Sequence, residues 1–206
     1  MFGLIGTKPY AVHLSGPRVY LRPPERRDQK KWSELRQGSR DFLEPWEPSW
    51  PPDATSRSAF RRRLVRLLED WKDERACAFF ILERDTDALL GGITVSNVRR
   101  GVAQSASIGY WIGEPYARQG LMSEAVQLTL NFCFETLGLH RVEAACLTAN
   151  GPSRALLLKS GFKQEGMARQ YLRINGQWQD HITFAILRAD ARPGVTMVQR
   201  ETRRYA

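Results

Sequence analysis

Apolar and polar residues alternate over residues 18–22 (RVYLR), the period of a half-buried strand. Pro23 and Pro24 end that pattern, and residues 25–37 then read as a helix. Residues 41–53 (DFLEPWEPSWPPD) are crowded with proline and tryptophan and predict an irregular loop. Thr55 is placed to cap a helix running to about Glu74, with Phe60, Leu64, Leu67, Leu68 and Trp71 on one stripe.

From Ala78 the period shortens. Residues 79–82 and 89–97 flank the turn Arg84-Asp85-Thr86-Asp87 and predict a hairpin. Residues 105–112 form a further strand, with Ile108, Tyr110 and Ile112 on one face and Trp111 on the other. A loop over 114–120 leads into a helix ending near Leu137. That helix is apolar except along Glu124, Gln127, Asn131 and Glu135, so most of its circumference is buried. Gly138 closes it. Residues 141–147 are another strand, and Pro152 opens a short helix to Ser160. Residues 169–174 and 177–187 flank Asn175-Gly176, the pair a type I′ hairpin turn requires. The order predicts an α/β (α+β) fold whose mixed sheet contains one parallel crossover.

The chain of 206 residues suits one domain over 1–190 followed by a basic tail over 191–206. Its 42% hydrophobic and 26% charged residues exclude disorder along most of the length. No apolar run approaches a membrane span, and the opening lacks the basic leader and apolar length of a signal peptide. A cytoplasmic protein without membrane contact is expected. Cys77, Cys133 and Cys146 lie far apart among apolar residues. With no CxxC and only three histidines, neither a zinc site nor a disulfide framework is supported, so no metal is expected.

The net charge of +9 favours anionic partners. In the helix after Thr55, Arg57, Arg61, Arg62, Arg63 and Arg66 crowd the N-terminal half, and Glu69, Asp70, Asp73 and Glu74 the other half. This opposes the helix dipole. The run reads as a solvated face or as a contact for RNA or an acidic surface. Phe42, Trp46 and Trp50 either pin their loop to the core or wall a substrate. Gly120 opens a helix, where free amides and the dipole favour an anion, and Arg118 adds charge.

Together, GYWIGEPYARQGLMSEAV, HRVEAACLTANGPSRALLLKSGFKQEG and INGQWQDH resemble the GNAT family of acetyl-CoA-dependent N-acetyltransferases over roughly residues 18–187. FLEPWEP, SNVRRG and YLRINGQWQDH are similar to the branch that acetylates N-terminal alanine of ribosomal proteins. The resemblance implies a GNAT-like, mostly antiparallel sheet with helices on both faces and its parallel crossover at the acetyl-CoA site. It implies a pyrophosphate loop at Arg118, Gln119, Gly120, Leu121 and Met122, departing from the family pattern at Ala117 and Met122. It implies that the strand bearing Ile108, Tyr110, Trp111 and Ile112 lies along the cofactor's arm, with Gly109 suited to a bulge. Asn150 matches a cofactor-contacting asparagine, and Ser153 a serine proposed as general acid. Ala145 and Leu157 stand where some relatives carry a glutamate base and a tyrosine acid. Glu143, two residues before Ala145, is the remaining candidate base. Phe42 and Trp46 would line the acceptor site.

The missing base is tolerable for one acceptor class. An α-amine has a pKa of about 7.7–8.0 and is partly neutral at physiological pH, whereas lysine, at about 10.4, needs a stronger base. The leading expectation is acetylation of a protein N-terminus, that of a ribosomal protein with N-terminal alanine. The alternatives are a transferase for a small amine, or a ribosome- or RNA-binding assembly factor with a degenerate site.

Overall fold

A computed structural model describes residues 12–190. The basic tail over 191–206 and the first eleven residues lie outside the described residues. In chain order the elements are β1 (Leu14–Ser15), β2 (Val19–Arg22), α1 (Gln29–Gly38), α2 (Arg40–Leu43), α3 (Arg57–Lys72), β3 (Cys77–Glu83), β4 (Leu89–Arg99), β5 (Ser105–Ile112), α4 (Leu121–Asn131), β6 (Arg141–Leu147), α5 (Gly151–Lys159), β7 (Lys163–Ile174) and β8 (Gln177–Leu187). The strands form one sheet in the order β1-β2-β3-β4-β5-β6-β8-β7. Every neighbouring pair is antiparallel except β5 and β6, which α4 joins as a parallel crossover.

Consecutive strand residues serve opposite faces. Phe79, Ile93, Ile108, Val142 and Phe184 pack with α4 in one cluster, while Phe80, Leu82 and Leu89 pack with Trp32 of α1 and Phe60 and Leu64 of α3 in another. Helices thus cover both faces, as the family resemblance implies. The first two residues of the polar stripe, Glu124 and Gln127, are buried and satisfied, and Asn131 and Glu135 reach the surface. Gln127 donates to the Ser160 carbonyl at 3.1 Å, and Glu124 accepts the Arg18 and Val19 amides at 2.8 and 3.0 Å. The three cysteines are free and buried. Among the described residues no helix is long and apolar enough to cross a membrane.

Several boundaries differ from expectation. The loop over 41–53 is helical at its start, through α2 and a 3-10 turn at Glu44–Trp46. The cap of α3 is Ser56 rather than Thr55, because the Ser56 hydroxyl accepts the Ala59 amide at 3.0 Å. β7 begins at Lys163, six residues before the predicted start. It is a sheet edge exposed along most of its length, so it carries no alternating pattern. Gly109 is not at a bulge: it pairs in regular register with Thr94, and the irregularity lies between Ser96 and Arg99. The Asn175-Gly176 turn forms as predicted, both residues having positive φ, with Ile174 opposite Gln177.

Candidate functional site

β5 and β6 start as neighbours and then part. They pair at Ser105–Arg141, Ala106–Val142 and Ser107–Glu143 and no further. β5 nevertheless stays bonded to β4 as far as Ile112, and β6 to β8 as far as Leu147. The inner edges of residues 108–112 and 144–147 are left without ladder partners. Such an edge offers N–H and C=O groups to an extended ligand.

Beyond β5 the chain reaches α4 through a loop with two left-handed residues, Arg118 (φ 61°) and Gly120 (φ 79°). Left-handed residues set among right-handed or extended ones turn successive amides toward one concave side. The amides of Arg118, Gln119, Gly120, Leu121, Met122 and Ser123 donate to no acceptor among the described residues. Free amides at the positive end of a helix form a cradle for an anion. The left-handed φ at position 120 favours glycine, and an added Cβ would stand 3.3 Å from a guanidinium nitrogen of Arg18, which would have to shift slightly.

That arginine is a participant the sequence did not reveal. Arg18 donates to the Gln119 carbonyl at 3.0 Å and to Glu124 Oε2 at 3.1 Å, which ties the loop to the start of β2. The head of Arg118 is exposed beside the cradle. Leu121 and Met122 turn into the core, so at these positions the main chain faces the ligand side.

Where the cleft widens, three elements converge on the α4 face. Tyr110 of β5 stands with its hydroxyl 2.8 Å from Ser153 Oγ. Ser153 lies in the first turn of α5, where Asn150 caps the helix by accepting the Ser153 amide at 3.0 Å. Ser153 also reaches the Cys146 thiol of β6. Burial pushes the Tyr110 phenol well above its ordinary pKa, against the opposing hydrogen bond from Ser153. Burial raises the Cys146 thiol likewise. The phenol and the thiol are therefore protonated throughout the physiological range.

Glu143 is not brought to this cluster. It lies on the opposite face of β6 from Val142, Ala144 and Cys146, at the last paired rung. Its two oxygens accept from Arg99 at 2.8 Å and Arg141 at 2.9 Å, and Arg141 continues to Glu165. With both oxygens engaged, it serves as a clasp where the strands separate. The Trp111 indole also points to that face, packed over Gly92 and 4.9 Å from the Arg36 guanidinium, so only its backbone borders the cleft.

A cavity of about 350 Å³ opens beside the C-terminal end of β6. Pro45 and Trp46 wall one side, Thr148 another, and Asn175, Gln177 and Gln179 of the β7–β8 hairpin a third. None of its lining residues is acidic. Trp46 belongs to it; Phe42, half-buried on α2, does not line it.

The splayed parallel strands offer an unpaired edge and the loop before α4 a set of free amides, features suited to one extended, anionic ligand; comparison with known proteins gives the family. The family described as acetyltransferase (GNAT) domain matches residues 18–163. A probable N-acetyltransferase of Bacillus subtilis, YjcK, is 34% identical over 86% of this chain and 98% of its own. The Escherichia coli [ribosomal protein uS5]-alanine N-acetyltransferase is 34% identical over 94% of this chain and 100% of its own. Mycobacterium smegmatis RimJ, solved in complex with CoA-disulfide, superposes with a TM-score of 0.82 at 32% identity, covering 87% of this chain and 89% of that one. The chain belongs to the GNAT acetyltransferase family and uses acetyl-CoA.

Proposed function

We propose that this acetyltransferase modifies the N-terminal α-amine of a protein, a ribosomal protein with N-terminal alanine. The observation that carries the reading is the uncharged cavity beside β6. A small polycationic amine favours carboxylates in its pocket, and none lines this one. A peptide N-terminus needs a slot for an extended chain and no strong base, because its amine is partly neutral already. The uS5-alanine N-acetyltransferase named above and a ribosomal-protein-serine acetyltransferase of Escherichia coli, 26% identical over 66% of this chain, support the ribosomal assignment. So does the exposed basic face of α3 with Arg57, Arg61 and Arg62, which suits contact with ribosomal RNA or an acidic surface of a cytoplasmic ribosome.

In this reading acetyl-CoA supplies an activated acetyl thioester to the acceptor amine. The free amides over 118–123 hold its pyrophosphate, and Arg118 adds charge. The unpaired edge of residues 108–112, including the backbones of Ile108, Tyr110, Trp111 and Ile112, binds and orients its extended arm. Asn150 fixes the start of α5 and with it Ser153. Ser153 holds a proton, backed by the Tyr110 hydroxyl, for the leaving thiolate. Trp46 walls the acceptor's path. Glu143, held by Arg99 of β4 and Arg141 of its own strand, ties β6 to β4 below the cleft.

Two matched peptides test this: one with a free N-terminal alanine, one with a blocked N-terminus and a lysine. Acetylation of the first alone is expected. Acetylation of the lysine peptide at a comparable rate overturns the assignment.

A further inference from the structure

Pro45 and Trp46 wall the acceptor cavity on one side, and Asn175, at the tip of the β7–β8 hairpin, on another. A main-chain bond joins these walls: the Asn175 amide donates to the Glu47 carbonyl at 2.9 Å. Glu47 directly follows Trp46, so whatever holds Glu47 sets both walls.

The Glu47 carboxylate is held by two donors. Arg36 of α1 donates to its two oxygens at 2.7 and 2.6 Å, and Trp50 Nε1 donates to Oε2 at 2.9 Å. The ion pair is largely shielded from water, its side chains being 14% and 20% exposed. The Arg36 guanidinium also lies 4.2 Å from the centre of the Trp50 ring and 4.9 Å from that of Trp111. A bidentate, stacked and shielded arginine fixes geometry in a way that an exposed pair does not. Trp50 does not line the cavity. Its ring and its N–H complete the Arg36–Glu47 pair.

α1 is itself anchored to the end of β5. Ser39 Oγ, just past α1, accepts the Glu114 amide at 2.9 Å, and Leu35 packs so closely on Gly113 that a Cβ there would overlap it. Arg36 therefore stands between β5, whose free edge takes the cofactor's arm in the reading above, and the segment that walls the acceptor cavity.

We propose that Arg36 and Glu47 are positioning residues for the acceptor. As one unit they hold the Trp46 wall and the hairpin tip at a fixed spacing, so that the polypeptide enters a preformed slot. Such preorganisation acts on binding, because the acceptor need not order two loops as it enters. The inference rests on the reading of this cavity as the acceptor site and names what sets its affinity.

The test uses the peptide with a free N-terminal alanine, the wild-type protein, and the variants Arg36→Met, Arg36→Lys, Glu47→Gln and the double variant Arg36→Met with Glu47→Gln. Arg36→Met and Glu47→Gln should each raise the KM for the peptide about tenfold and leave kcat and the KM for acetyl-CoA within about twofold of wild type. The double variant should be no worse than either single change, since the two groups act through one pair. Arg36→Lys keeps the charge without the two-pronged geometry and should fall between. Trp50→Phe removes only the indole donor and should raise the peptide KM by about two- to fivefold, the worth of one modest hydrogen bond. It carries the test if the charge-removing variants do not fold. A peptide KM that stays at the wild-type value, a KM for acetyl-CoA that rises in step with it, or additive effects in the double variant overturns the inference and leaves the N-terminal reading standing. If wild type does not acetylate the peptide at all, both fall.

Discussion

The Tyr110 hydroxyl and Ser153 Oγ, 2.8 Å apart, link β5 to the first turn of α5 across the widening cleft. Each belongs to an element fixed by its own local chemistry. Tyr110 stands one residue after Gly109, which is paired to Thr94, and the Ser153 amide is held by Asn150. Replacing Ser153 by alanine removes the proposed proton donor and leaves the helix cap intact. The expected result is a kcat lower by about 10- to 100-fold, at or below the usual range for one general acid, with the KM for acetyl-CoA unchanged. Steady-state kinetics checks this; full kcat in the variant makes Ser153 a helix-start residue only.

The pH dependence follows from the same pair. Burial raises the Tyr110 phenol, so it stays protonated through the assay range and contributes no limb. The acceptor must be neutral to react, so kcat/KM should rise with pH and level off near the α-amine's pKa of about 7.7–8.0. A limb centred near pH 6 in a rate–pH profile indicates a protein base elsewhere in the cleft.

Gly120 is constrained by conformation and by contact. Gly120→Glu places a left-handed penalty, a tight contact with the Arg18 side chain and a negative charge at the mouth of the amide cradle. Acetyl-CoA binding measured by calorimetry should fall below detection while the variant stays folded. Gly120→Ala keeps the charge pattern and should weaken binding less. Undiminished affinity in folded Gly120→Glu contradicts the cradle.

The basic face of α3 makes a separate prediction. Replacing Arg57, Arg61 and Arg62 by glutamine should lower co-sedimentation with ribosomes. It should also flatten the salt dependence, by about 0.7 in the log–log slope for each RNA phosphate that the variant no longer neutralises. Acetylation of a free peptide should hardly change. Equal co-sedimentation of variant and wild type makes these arginines a solvated face.

What the sequence disclosed, and what it hid, divides by range. The Asn175-Gly176 hairpin, the faces of β5 and the buried helix α4 were legible because each is written in a few adjacent residues with a known period or turn requirement. The anion cradle was legible at Gly120, yet the residues that brace it were not. Arg18 and Glu124 are 106 positions apart, and no local pattern announces their bond. The fate of Glu143 was hidden for the same reason: its partner Arg99 is 44 positions away on β4. Lys163 at the start of β7 escaped because an exposed edge strand has no buried face to impose alternation. The pairing of Arg36 with Glu47 emerges only when α1 and the segment after α2 meet.

The deciding measurement is intact-mass spectrometry of ribosomal proteins from cells lacking this protein, incubated with purified enzyme and isotope-labelled acetyl-CoA, with the label then located by fragmentation. One acetyl unit on the α-amine of a protein beginning with alanine is the predicted result. Label on lysine side chains, or on no ribosomal protein at all, contradicts the proposed function.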